Sequence, residues 1–317
     1  MRAWHALLAV ALAFAWVASG CKGPSAAGSG GADLDTDPLV LVPDSAMVVA
    51  RFDARALFDN GAIGAPLAAL AARFVPLGDD AGFQAARDVD KILVLSFATG
   101  GVDVAAVLGG RFDVARIAAA TKTTSGAAIV RGVYAGQPTY AVGASAGSVT
   151  YAVLSAKTVV AGTGDGLRRV LERVQAGGLR RTLAPWAAQT LETPGAEIAV
   201  AADFAAQPIA AAAMGVVKLP WLDGLRVARV IGNVEPPGMN VAATLTYGDA
   251  QQTQAAADGV RSVDGWLNVL GPLVGGIRLQ NLVVTTQDAN LECKFAVDDQ
   301  ALRAALAYAP RLLPNPQ

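Results

Sequence analysis

Histidine is almost missing from this chain: one in 317 residues, at His5, inside an apolar N-terminal stretch. The rest of the sequence therefore has no imidazole, which excludes Ser-His and Cys-His nucleophile pairs, histidine general bases and histidine metal ligands. Cysteine is nearly as scarce, with Cys21 and Cys293 alone. That excludes a disulfide framework and a cysteine zinc site. Charged residues make up only 16%, and the formal net charge is -1. Nucleic-acid binding needs a strongly basic face, so nucleic acid is not an expected partner. No cofactor and no metal is expected either. After the N-terminus no apolar run is long enough to cross a membrane, which takes roughly 20 residues.

What is present begins with the first 21 residues. Arg2 supplies a short positive region, Ala3 to Val17 an apolar stretch, and Ala18, Ser19, Gly20 and Cys21 a run of small residues ending in a thiol. A short apolar core followed by small residues is a secretory signal, not a membrane span. The Ala-Ser-Gly-Cys ending resembles the lipobox of bacterial lipoproteins, departing from the usual leucine at Ala18. The resemblance covers the N-terminus only, and the remaining sequence resembles no characterised family. It implies cleavage after Gly20, lipidation of Cys21 and a folded part outside the cytoplasm, tied to the cell envelope by lipid. Lys22, where the same resemblance would have Asp in an inner-membrane protein, implies the outer membrane. Residues 22–37 are rich in Gly and Ser with an acidic end. As a flexible tether they would span about 20 to 25 Å.

The remaining chain, 53% hydrophobic over the whole sequence, can build a substantial core. Apolar runs alternate with helical runs, and several strands end in an Asp that opens a helix. Arg-Phe-Asp recurs at residues 51–53 and 111–113, and Asp53, Asp113, Asp249 and Asp298 read as helix caps. Their carboxylates suit the free backbone donors and the positive dipole end of a helix start. Hairpins are expected at 127–134 with 139–142, and at 149–154 with 158–161. A boundary is expected in residues 177–194. Beyond it come a strand at 196–202, an Ala-rich helix to about Met214, two strands, a helix from Asp249 to Leu270, two strands and a last helix. The halves share one element order, with an extra hairpin in the first. The fold class expected is α+β: two diverged repeats, each an antiparallel-rich sheet with helices packed on one face. The domains read as 1–20 signal peptide, 21–37 lipidated cysteine and tether, 38–180 the first lobe and 195–317 the second.

Candidate sites are few. The Gly-Thr-Gly-Asp-Gly run at 162–166 precedes a helix but lacks the Lys and Ser/Thr of a phosphate loop. It reads as a structural turn. Cys293 shares a strand face with Leu291, Phe295 and Val297 and reads as a core thiol. Arg168, Arg169, Arg173, Arg180 and Arg181 form a basic patch that reads as a solvated helix face. The pairs Asp79-Asp80 and Asp298-Asp299 fix no acid/base separation. Trp186, Trp221 and Trp266 could line an apolar surface or groove but read mainly as core, and Gly215 to Leu225 places apolar residues in a loop broken by Pro and Gly. No catalytic, cofactor-binding or metal residue is identified, and Cys21 is the lipidation site. The function expected is a membrane-anchored envelope lipoprotein that binds or scaffolds another envelope protein. The alternatives are a carrier or sensor of a small apolar ligand and a hydrolase that works without histidine.

Overall fold

The computed structural model describes residues 33–74, 81–99, 103–123, 126–142, 149–209, 220–270 and 278–312. The chain divides into two compact units. One is built on Ala68–Pro185 together with the described chain up to Ala56. The other is built on the chain from Trp186 onward, with Leu57–Leu67 added from the first half.

The N-terminal unit holds seven strands among the described residues: β1 Val48–Asp53, β2 Val89–Ser96, β3 Val104–Gly110, β4 Ile129–Tyr134, β5 Gln137–Val142, β6 Val149–Val153 and β7 Thr158–Gly162. Their spatial order is β1-β2-β3-β7-β6-β5-β4, and each pair of neighbours is antiparallel. Strand β7 lies inside the sheet and is buried along its whole length. Its sequence, Thr-Val-Val-Ala-Gly, is accordingly a continuous apolar run, not an alternating one. Tyr140 and Tyr151 face each other across β5 and β6 and stack at 5.1 Å. The β4–β5 turn is Ala135-Gly136, both at positive φ, the geometry that suits the strand twist of a two-residue hairpin.

In the C-terminal unit the strands are β8 Ile198–Asp203, β9 Val227–Glu235, β10 Gly238–Thr246, β11 Gln280–Gln287 and β12 Asn290–Asp298. Their order is β8-β9-β10-β12-β11, again antiparallel throughout. This repeats β1-β2-β3-β7-β6 strand for strand. The hairpin β4–β5 is the surplus element, at the outer side of the first sheet. The fold is therefore α+β with two diverged repeats, as the element order predicts.

Among the described residues there are eight α-helices: α1 Ala54–Asp59, α2 Gly64–Phe74, α3 Ala85–Asp88, α4 Val114–Ala119, α5 Gly164–Ala176, α6 Pro185–Leu191, α7 Ala250–Leu270 and α8 Asp299–Leu312. Helix α5 follows β7 and α8 follows β12, at equivalent points of the two repeats. Helix α5 buries Leu167, Val170 and Leu171 and exposes Arg168 and Glu172, an amphipathic pattern of helical period. Helix α7 buries Thr253, Ala256 and Ala257, and α8 buries Leu302 and Leu306.

Four expectations need correction. The acidic end of the tether is not linker: Asp33 to Asp37 fold into a turn closed by Asp37 N–H on Asp33 O at 2.9 Å. The division between the units falls at Pro185/Trp186, inside the expected boundary region, but that region is not all loop: it contains helix α6, begun by Pro185 at its first position, where a missing N–H costs nothing. Residues 204–209 are not helical, and the rest of the Ala-rich stretch, 210–214, lies outside the described residues. Finally, Leu57–Leu67 groups with the second half of the chain. Asn60 Nδ2 there donates to Val234 O at 3.5 Å, and Arg303 Nε donates to Ala62 O at 3.0 Å.

Candidate functional site

The densest polar cluster sits where the chain joins the N-terminal unit. Asp37 caps the 3-10 turn Pro38–Leu41, accepting from Leu39 N–H at 3.3 Å. Leu39, Val40, Leu41 and Val42 are all buried, so this strap is part of the core. Arginines hold it from outside. Arg181 Nε and Nη2 grip Asp37 at 2.6 and 3.1 Å, the forked geometry a guanidinium shares with a carboxylate. Arg173 Nε donates to Val40 O at 2.7 Å, Nη1 to Asp44 at 3.3 Å, and Nη2 to Arg180 O and to Thr182 Oγ1. Thr182 Oγ1 in turn donates to Val42 O at 3.4 Å. One turn further out, the Asp35 carboxylate accepts from Ser155 Oγ and from the buried Thr158 Oγ1. Residues 35–44 are thus clasped by the β6–β7 turn, by α5 and by the chain after it.

This reassigns the basic patch. Arg168 lies over the Tyr134 ring at 5.3 Å and pairs with Asp165. Arg169 lies over Phe97 and pairs with Asp103 at 3.0 Å. Arg173 and Arg181 belong to the clasp. Arg168, Arg169 and Arg180 are exposed and fit the reading of a solvated face, whereas Arg173, 17% exposed, does not. The contacts to the strap bridge residues 120 to 144 apart in sequence, so no local pattern announces them.

The remaining candidates have structural surroundings. Asp53 accepts from Ala56 N–H at 3.0 Å, Asp113 from Arg116 N–H at 3.1 Å, Asp249 from Gln252 N–H at 2.8 Å and Asp298 from Ala301 N–H at 2.7 Å. Asp298 also accepts from Gln280 Nε2, and Asp299 opens α8 beside it. Asp79 and Asp80 lie outside the described residues, as does Cys21. Trp186 lies beneath Arg229 at 5.2 Å, and Trp221 O accepts from Tyr247 Oη at 2.6 Å. Trp266 has no described side chain, and of Gly215 to Leu225 the first five residues lie outside the described set. Among the described residues no group of three or more His, Cys, Asp or Glu side chains converges as a metal site would, and no helix is long and apolar enough to cross a membrane.

Cys293 is free and buried, and burial pushes its thiol up to about 11. Burial also raises Tyr247, with the nearby Cys293 adding to the shift. An acid whose folded pKa lies above its unfolded value holds its proton better in the fold. Its stabilising share is complete below pH 9 and is lost as pH rises through about 11. The expected result is twofold: at pH 8 Cys293 ignores a thiol reagent until denaturant is added, and unfolding midpoints fall between pH 9 and 11. Rapid labelling of the native protein would contradict the buried geometry.

Strand order and helix placement define a class: an α+β protein of two repeats, each a five-stranded antiparallel core with helices following β7 and β12. No protein-family model matches the sequence, and no curated protein does. Solved structures do. The chain is similar to crystal form III of TP0453, with a TM-score of 0.52 and 13% identity over 86% of this chain and 97% of that one. Crystal form I of the same protein gives 0.52 and 12% over 88% and 98%, and form IV gives 0.50 and 11% over 86% and 97%. At these identities the likeness is one of fold.

Proposed function

We propose that this is a lipid-anchored protein of the cell envelope, held at a membrane through Cys21, whose folded part binds or scaffolds and does no chemistry. The observation that carries the reading is continuity. A lipobox-type ending at Cys21 leads through a Gly/Ser-rich segment into a strap described from Asp33 onward and clasped within ten residues. A tether under tension needs such a fastening, since several lipid chains hold at about 0.8 kcal/mol per buried methylene. The outer membrane is the favoured location, on Lys22.

The carrier alternative calls for a closed, mainly apolar cavity. Three pockets among the described residues, of about 840, 480 and 420 Å³, are open and have Arg, Lys, Asp, Asn or Glu on their walls, and none of the three has that form.

Fractionation of the native host tests the proposal. Wild-type protein is expected in the membrane pellet, with an N-terminal peptide carrying acyl mass on Cys21. Cys21→Ser is expected in the soluble fraction with an unmodified fold. Equal partition of the two, or an unmodified Cys21, would sink the anchor.

A further inference from the structure

A pocket of the N-terminal unit, about 840 Å³, is lined by Arg87, Arg111, Arg116 and Lys157 with Asp88 and Asp113. Both acids are already engaged. Asp88 is buried, held by Arg87 Nε and Nη2 at 2.7 Å each and by Gln84 N–H at 2.8 Å. Asp113 caps α4. Among the described residues of the lining, cations outnumber acids by four to two. Arg111 is 72% exposed and reaches only Arg87 O at 3.5 Å and Asp90 at 4.0 Å, while Lys157 is exposed with no carboxylate partner among the described residues. Phe112, stacked on Phe83 at 6.1 Å, stiffens the wall between Arg111 and Asp113. The pocket is therefore a shaped, stiff-walled cavity whose two loosest groups are cations.

Its place in the fold gives it a partner. Lys157 and Ala156 of the rim belong to the β6–β7 turn, and their carbonyls accept from Gly110 and Phe112 N–H at 2.9 and 3.0 Å. Ser155 of the same turn donates to Asp35 of the clasp. The cationic rim and the fastening of the tether thus share one turn. The stretch from Cys21 to Asp33 would reach at most about 40 Å when extended and about 20 Å as a coil. We propose that the pocket takes the phosphate of an anionic lipid headgroup in the membrane to which the tether holds the protein. A guanidinium fork and an ammonium are the groups that recognise a phosphate in this geometry. Headgroup capture would orient the folded part, which a flexible tether alone leaves free. This inference rests on the lipid-anchor reading.

The test uses the processed chain from residue 21 onward carrying Cys21→Ser, so that no lipid of its own contributes, with retention of the native fold checked by circular dichroism and urea unfolding. Binding is measured to vesicles of phosphatidylcholine with and without phosphatidylglycerol at low salt. Binding is expected only with phosphatidylglycerol, and the double variant Arg111→Glu/Lys157→Glu is expected to lose about tenfold or more. A control with the same charge change on the other unit, Arg278→Glu/Lys294→Glu, is expected to lose less than about twofold. Equal loss in the control, or equal binding to both vesicles, overturns the pocket. Inorganic phosphate that shifts pocket resonances without any vesicle binding overturns the lipid source and leaves a free-phosphate site. Failure here leaves wild-type fractionation untouched, whereas an unmodified Cys21 removes the anchor whatever the vesicles show.

Discussion

Replacing Arg173 with alanine is expected to destabilise the N-terminal unit by about 3 kcal/mol, because the side chain gives several charge-assisted hydrogen bonds, one of them to the carbonyl of a buried residue. It is only 17% exposed and serves four acceptors at once, in Val40, Asp44, Arg180 and Thr182. Of these, Val40 O matters most. Val40 is 1% exposed, so a carbonyl left there without its donor carries its desolvation penalty. The Asp44 pair matters least, because Asp44 is 75% exposed and water replaces the contact. Arg173→Lys is expected to recover little, since one ammonium does not reproduce a fork spanning four acceptors. Arg168→Ala, on the exposed side of the same helix, is expected to cost within about 0.5 kcal/mol. Urea unfolding of the three variants reads the difference. In limited proteolysis the Arg173→Ala protein should be cut in residues 33–47 before any other described segment. Equal midpoints for Arg173→Ala and Arg168→Ala would mean that the clasp does not hold the strap.

The contrast between those two arginines shows what was legible in the sequence. Strands, hairpins and Asp caps follow rules that act over two to four residues, and those elements lie near where the pattern puts them. The repeat was legible for the same reason: it is an order of locally readable elements, and the surplus hairpin β4–β5 stands out by its turn at Ala135-Gly136. The clasp was not legible. Arg173 and Arg181 look like any charged residues around an amphipathic helix until the fold brings Val40 and Asp37 to them. The same holds for Leu57–Leu67, whose partners Val234 and Arg303 lie 174 and 241 residues away from Asn60 and Ala62. Helix α6 was hidden by the surrounding Gly and Pro, which the eye reads as loop. Residues 204–209 after β8 are not helical despite their alanines, since alanine's helix propensity is a weak prior that tertiary context overrides.

The glycines at the start of α5 carry the second large effect, and they decide between two readings of the Gly-Thr-Gly-Asp-Gly run. If the run were a phosphate cradle, its glycines would keep open space for a ligand, and all would tolerate a methyl group poorly in binding but well in stability. The geometry divides them instead. A Cβ on Gly164 would meet nothing within 4 Å, whereas a Cβ on Gly166 would lie 2.2 Å from Val104 O and 2.5 Å from its carbon. Gly166 is buried against the β3 backbone, which also binds the helix start through Thr163 N–H to Val104 O at 3.0 Å. Gly166→Ala must push α5 off the sheet, and α5 buries Leu167, Val170 and Leu171 there. The expected loss is about 3 kcal/mol, the upper part of the usual range for overpacking a core. Gly164→Ala is expected to be neutral or to stabilise by up to about 1 kcal/mol, because alanine restricts the unfolded chain at no steric cost in the fold. Thermal or urea unfolding of the two single variants, two residues apart in one helix, gives the answer directly. A gap of several kcal/mol assigns the run to helix–sheet packing. Equal, small effects at both positions would mean that α5 does not lie against Val104, and would return the run to the status of an open loop available to a ligand.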